Sequence, residues 1–386
     1  MKINNLITYL FFIFPLTNKL YVGSISVSML ILLFALFLIV LNPKKRPLSI
    51  DSRLLFVTLL VFCHSILFFL IYKNATILNL LIVTSFSLIL TLIYPSQLEA
   101  EYFYKVYKKV AILPLIGLIY HLIVIFVLGR TVNPLTFFPS LVGHTATDMD
   151  RPMSFFSEPA HLASYFLPLF ILSLYKKEWK WAAISMFSII MSFSFLGLVT
   201  SAIITVFFLL TNSEIKHRVL YIIIAVFVVS YLSSLPIFSY FFERGDRIAS
   251  ESDASSMVRI VYGFELIKAM DINTLLWGIG AGNNLMFFHE DEMFYNSLAG
   301  VIIDYGIILA TIIYFIFFVT YSYKQSQMIL AFQVCTLALL AGSTLYFSLA
   351  FFFQYTFYYV FSGEKGHQQI IYNSKIKHLD YDSNAS

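Results

Sequence analysis

This chain of 386 residues has little charge: Asp, Glu, Lys and Arg together make up 12% of it, against 59% hydrophobic residues. Its mean hydropathy is +0.83. That scarcity excludes an ordinary soluble domain, in which about 25% of residues are charged. Cysteine is also scarce. Cys63 and Cys335 are the only two, and both fall in apolar runs. They exclude a disulfide framework and a cysteine-built zinc site. No small-residue cleavage site follows the first apolar run, so that run is read as retained. Internal repeats and low-complexity segments are lacking too. The net charge of +4 is unremarkable, and no nucleic-acid partner is expected.

What is present is a succession of apolar runs of about 15–25 residues, roughly the length that crosses a ~30 Å hydrocarbon core. The expected fold is all-α, a polytopic bundle of about twelve transmembrane helices forming one unit over residues 1–361. The spans fall near 5–17, 20–41, 53–72, 75–94, 108–129, 160–175, 180–194, 196–211, 217–235, 294–321, 328–342 and 344–361. Residues 180–211 would fit one long helix, but charge favours two, broken near Ser194–Gly197. With both termini inside, 17 of the 25 Lys and Arg lie on the inner side, clustered at 44–53, 105–109, 176–180 and 216–218. The other 8 (Lys19, Lys73, Arg130, Arg151, Arg244, Arg247, Arg259, Lys268) lie outside. Short flanking loops rich in Lys and Arg belong inside, which selects the two-helix reading. The polar tail 362–386 is then cytoplasmic.

Two outer loops, 130–159 and 236–293, carry arginine on the side where it is least expected. Charge at a membrane boundary is costly and therefore a sign of function. Guanidinium stays ionised and grips phosphate oxygens with two parallel bonds. Arg151, Arg244, Arg247 and Arg259 are thus candidates for a lipid pyrophosphate site, against salt bridges to neighbouring acids such as Glu243 and Asp253. Ser252 to Met270 is expected to form a helix with Met257, Val261 and Phe264 on its apolar face, Lys268 interrupting it and Arg259 turned away. Glu158, before Pro159 at a span start, suits a helix N-terminus, and equally a general base or a sugar-hydroxyl acceptor. His161, one turn in, is either a structural hydrogen-bonder or a catalyst. His64 and His121 lie within spans, with nothing in the sequence to pair them. Asp148 and Asp150 form an acid-x-acid pair, but that pattern recurs at Glu99/Glu101 and Glu251/Asp253, so no metal is expected. Asp304 lies inside a span. Gly278, Gly280 and Gly282 read as a tight outside turn, since no strand precedes them.

Three stretches together resemble the O-antigen polymerase and ligase superfamily, the Wzy-type glycan polymerases of bacterial envelopes. The first is RPMSFFSEPAHLA over 151–163. The second is SMVR over 256–259 followed by WGIGAGN over 277–283. The third is Tyr295-Asn296 with DYG over 304–306. The resemblance implies a GT-C-like bundle in the bacterial inner membrane, with a periplasmic site. It implies a metal-independent, inverting glycosyltransferase without cofactor, whose donor is an oligosaccharide on undecaprenyl pyrophosphate. Membrane lipid, a flippase and a chain-length regulator are the implied partners. The implied site has Arg151, Glu158 and Arg259 at the reacting centre, with His161, Arg244, Arg247, Tyr295 and Asn296 against substrate. Two positions depart from the pattern. Tyr295 stands where ligases of the superfamily have histidine. Met270 stands where the polymerases' arginine spacing calls for glycine. The rival functions are a ligase moving finished glycan to another acceptor, a lipid-linked oligosaccharide flippase or other transporter, and a non-enzymatic scaffold. A carrier should show related halves around a midplane site, whereas here the polar residues gather in two outer loops.

Overall fold

The computed structural model describes residues 3–18, 20–23, 25–41, 51–73, 75–95, 98–132, 151–212, 262–283, 287, 296–319, 326–343 and 348–362. The helices in chain order are α1 (Ile3–Ile13, extended by a 3-10 turn at Phe14–Thr17), α2 (Val27–Leu41), α3 (Ser52–Tyr72), α4 (Ala75–Ile93) and α5 (Ala100–Leu122, ending in a π turn at Ile123–Val127). They continue with α6 (Pro159–Tyr175), α7 (Trp179–Met191), α8 (Phe195–Thr211), α9 (Gly263–Ala269), α10 (Ile272–Trp277), α11 (Ser297–Tyr314) and α12 (Gln327–Gly342). A last helix, α13, covers 349–362. The only sheet among the described residues is a hairpin of β1 (Tyr21–Val22) and β2 (Ile25–Ser26) before α2. The chain is an all-α membrane protein. Three helices, Ser52–Tyr72, Ala100–Val127 and Ser297–Phe318, are long and apolar enough to cross a bilayer, and seven shorter apolar helices stand with them. Of the twelve expected spans, 217–235 lies outside the described residues. The break expected near Ser194–Gly197 is present, with Ser194 capping α8 by accepting the Gly197 amide at 3.1 Å.

Outward faces of α2, α3 and α5 carry large apolar side chains such as Val40, Leu70 and Ile116. Such exposure is unfavourable in water and costs nothing against lipid tails. Inside, α6 is the central helix, with 13 of its 17 residues buried. It packs on α5, α7, α8 and α12. Aromatic rings weld α1, α5, α6 and α13: Phe12 stacks on Tyr107 at 4.4 Å and Tyr165 on Phe353 at 5.5 Å.

Pro168 inside α6 has no amide to give, so the carbonyl four residues earlier loses its helical donor. That carbonyl is Ser164 O, and Gln354 Nε2 of α13 donates to it at 2.8 Å. In a membrane interior such an orphan must find a protein partner. Gln354→Leu should therefore lower stability by about 1–3 kcal/mol, the cost of an unmet buried acceptor. Thermal unfolding of the purified protein in detergent measures this, and an unchanged midpoint would show that the bond does not matter.

Charge gathers at one end of the bundle. Lys108 pairs with Glu178 at 2.6 Å and Lys176 with Glu101 at 2.5 Å. Lys176 also lies over the Phe361 ring at 5.9 Å. The start of α5 and the ends of α6 and α13 thus share an end, with Lys105, Lys109, Lys177 and Lys180 close by in the chain. The opposite end joins the end of α1, the start of α6 and the start of α13. α5 begins at Ala100, well before the span expected from 108, because Phe103, Tyr104, Val106 and Tyr107 bury one face while Lys105 and Lys109 leave the other in the open.

Candidate functional site

The segment Arg151 to Glu158 is a folded turn set into the bundle, with Met153, Ser154 and Phe156 all buried. Phe156 N donates to Met153 O at 3.0 Å and closes it. Ser154 has φ of 55°, a left-handed backbone that costs a residue with a side chain about 1–2 kcal/mol. Three bonds to α5 hold it there. His121 Nδ1 accepts the amides of Met153 at 3.3 Å and Ser154 at 3.1 Å. Ser154 Oγ donates to Pro114 O at 2.8 Å. Since Nδ1 accepts, the ring proton sits on Nε2, which is buried and has no partner among the described residues.

Arg151 opens this turn, half-buried. Glu158 closes it in extended backbone (φ −145°, ψ 151°), the conformation a following proline enforces. Its carboxylate is exposed and makes no capping bond; only its carbonyl enters the helix, accepting from His161 N at 3.1 Å. The acid therefore stands at the positive end of the most buried helix without being used up by it. His161 Nδ1 lies 2.7 Å from Ser157 Oγ. Its ring also lines a cavity of about 90 Å³ with Phe14, Asn18, Phe156, Tyr165, Phe353 and Gln354.

A second construction lies at α11. Gly306 breaks that helix with φ 75° and ψ 161°, a region open in practice to glycine alone. At the break, Ile303 O accepts Ile279 N and Asp304 O accepts Gly280 N, each at 2.9 Å. The glycine turn after α10 thus runs along the break backbone to backbone. A Cβ on Gly306 would lie 2.3 Å from Leu276 O, and one on Gly278 would lie 2.5 Å from Asp304 O. His64 of α3 supports the turn from the other side, its Nε2 donating to Trp277 O at 2.8 Å. The neighbouring Tyr305 ring lies 5.2 Å from that histidine. Non-helical backbone within a membrane bundle is tolerated only where protein or a cavity satisfies it, and here each half satisfies the other.

No family model and no curated protein matches this chain.

The structure brings together parts of two of the three singled-out stretches, WGIGAGN and DYG, as the interlocked turn and helix break. The three glycines have positive φ, as a tight turn requires, and the turn is packed into the protein, with Ile279 and Asn283 fully buried. Asn296 is buried as the N-cap of α11, accepting the Ala299 amide at 2.8 Å. Asp304 is buried at the break. Arg244, Arg247, Arg259, Tyr295 and the Asp148/Asp150 pair lie outside the described residues. Of the helix expected over 252–270, Gly263–Ala269 is observed. Its inward residue is Leu266, packed with Ile279, Ala299 and Ile303, while Phe264 is exposed. α10 was not expected, although Asp271 capping the Thr274 amide at 2.8 Å and the stop at Gly278 are both written in the sequence. That capping role holds the Asp271 carboxyl below its usual range, chiefly through the Thr274 hydroxyl and amide. His64 and His121 are the residues that sequence reasoning left without a role; each binds a backbone segment distant in the chain, and no spacing signals that. Among the described residues no three of His, Cys, Asp and Glu gather to hold a metal ion.

Proposed function

We propose that this protein is a membrane glycosyltransferase that polymerises oligosaccharide repeat units carried on undecaprenyl pyrophosphate, at the outer face of a bacterial inner membrane. The acceptor hydroxyl attacks the anomeric carbon of the donor sugar. The bond to the pyrophosphate oxygen breaks, and the lipid pyrophosphate leaves with the electron pair. The leaving group is already good, so the protein's tasks are to orient the acceptor and to offset charge on the departing oxygens. Arg151 and Arg259 take the second task. Glu158 is the carboxylate suited to receive the hydroxyl proton, and His161 stands beside it against substrate. Arg244, Arg247 and Tyr295 complete the proposed surroundings, and Asn296, buried as the cap of α11, serves the helix start.

The observation that most supports this reading is the Arg151–Glu158 turn. An arginine and an uncommitted carboxylate are carried on a rigid, buried turn at the positive end of the central helix, at the end of the bundle opposite its lysine-rich belt. With the lysine-rich end in the cytoplasm, as the distribution of positive charge favours, the turn faces outward.

The glycan profile of a cell lacking this protein tests the reading. Single repeats left on the lipid carrier, with no ladder, are expected. Full-length polymer retained on the carrier would instead indicate a ligase. Repeats trapped on the cytoplasmic side would indicate a flippase, and an unchanged ladder would reject all three.

A further inference from the structure

The Met153 and Ser154 amides converge on a single ring nitrogen, at 3.3 and 3.1 Å, and all three residues are buried. We propose that His121 is the positioning residue of the Arg151–Glu158 turn and that it acts through the lone pair on Nδ1. Pro114 O already takes the Ser154 hydroxyl. A side chain with an acceptor one bond beyond Cγ supplies what is missing, and histidine and asparagine both have one. The state of the other nitrogen supports this role. Accepting at Nδ1 forces the proton onto Nε2, which is buried with no partner among the described residues. A leucine of similar volume would fill the site without burying an unmet donor. The imidazole is therefore present for its acceptor and not for its bulk. Arg151 and Glu158 flank the two clamped amides, so these two bonds, with that of Ser154 Oγ, set where both side chains emerge.

The catalytic consequence rests on the proposed polymerase activity; the clamp itself does not, and it is tested without turnover. In a background with Cys63→Ser and Cys335→Ser, Met153→Cys places a thiol at a position that is 0% exposed. Its rate of reaction with N-ethylmaleimide in isolated membranes reports opening of the turn. The reporter is expected to react slowly with His121 present. His121→Leu should speed labelling about tenfold or more, the effect of losing two acceptor bonds. His121→Asn should bring the rate back toward that of the parent, because the asparagine Oδ1 takes the place of Nδ1. Ladder formation should follow the same order. Equal labelling in the leucine variant and the parent would overturn the proposal. So would an asparagine variant as open as the leucine one, since the imidazole would then serve packing alone. If labelling follows the expected order while the parent makes no ladder, the clamp stands and the polymerase reading falls.

Discussion

Gly306→Ala is expected to destabilise the protein severely and to cut the yield of folded material. The new methyl group would sit 2.3 Å from Leu276 O and 2.5 Å from Trp277 C, both backbone atoms that cannot swing aside. The backbone there (φ 75°, ψ 161°) is also closed to alanine. Strain of about 1–3 kcal/mol from the dihedrals and a further 1–3 kcal/mol from the overlap together consume much of a typical stability of 5–15 kcal/mol. Gly129→Ala separates the two terms. Its φ is also positive, at 60°, but nothing lies within 4 Å of the new Cβ. It should lose only about 1–2 kcal/mol, the price of the left-handed backbone. The measurement is the yield of monodisperse protein in mild detergent, together with its unfolding midpoint. A Gly306→Ala variant as stable as Gly129→Ala would mean that the interlock between the glycine turn and α11 does not exist as described.

The second large effect is expected on activity alone. Arg151→Ala should cut polymerisation by roughly 10²–10³-fold, the usual cost of removing one group that stabilises charge in a transition state. Expression and insertion should stay near normal. The bonds that hold the turn to α5 run through Met153 and Ser154, and they remain. Lysine should rescue only in part, because it restores charge without the two-pronged geometry. Arg259→Ala should behave alike, and Arg244→Ala and Arg247→Ala more mildly, since acids beside them in the chain offer structural partners. Ladder formation at matched protein levels is the readout. An Arg151→Ala ladder like that of the parent would show that the arginine serves the turn and not the substrate.

Much of the helical frame was legible because lipid imposes long apolar runs, and a run is a local property. The α7–α8 break was legible too, from the serine cap and from lysines that would otherwise fall on the wrong side. The start of α5 was not. Lys105 reads as loop and Lys108 and Lys109 as the edge of a span, yet all three lie along a helix whose other face is buried, and Lys108 reaches Glu178. The inward face of α9 carries no such local signal. Leu266 is buried because Ile279 and Ala299 press against it, and those contacts come from segments that follow it in the chain. The candidate site divides in the same way. Glu158 before Pro159 announces a helix start, and glycines announce unusual backbone. Neither shows that the glycine turn docks on the α11 break. His64 and His121 carried no signal at all, because their partners are main-chain atoms of distant segments, which any residue could supply.

The most direct test is reconstitution. The purified protein, placed in lipid vesicles with a repeat unit on undecaprenyl pyrophosphate as the only glycan, should build a ladder of polymer, and should do so in the presence of a metal chelator, since arginines carry the charge on the leaving group. Folded protein that leaves the single repeat unextended, or that extends it only when magnesium or manganese is restored and Asp148 is intact, would contradict the account.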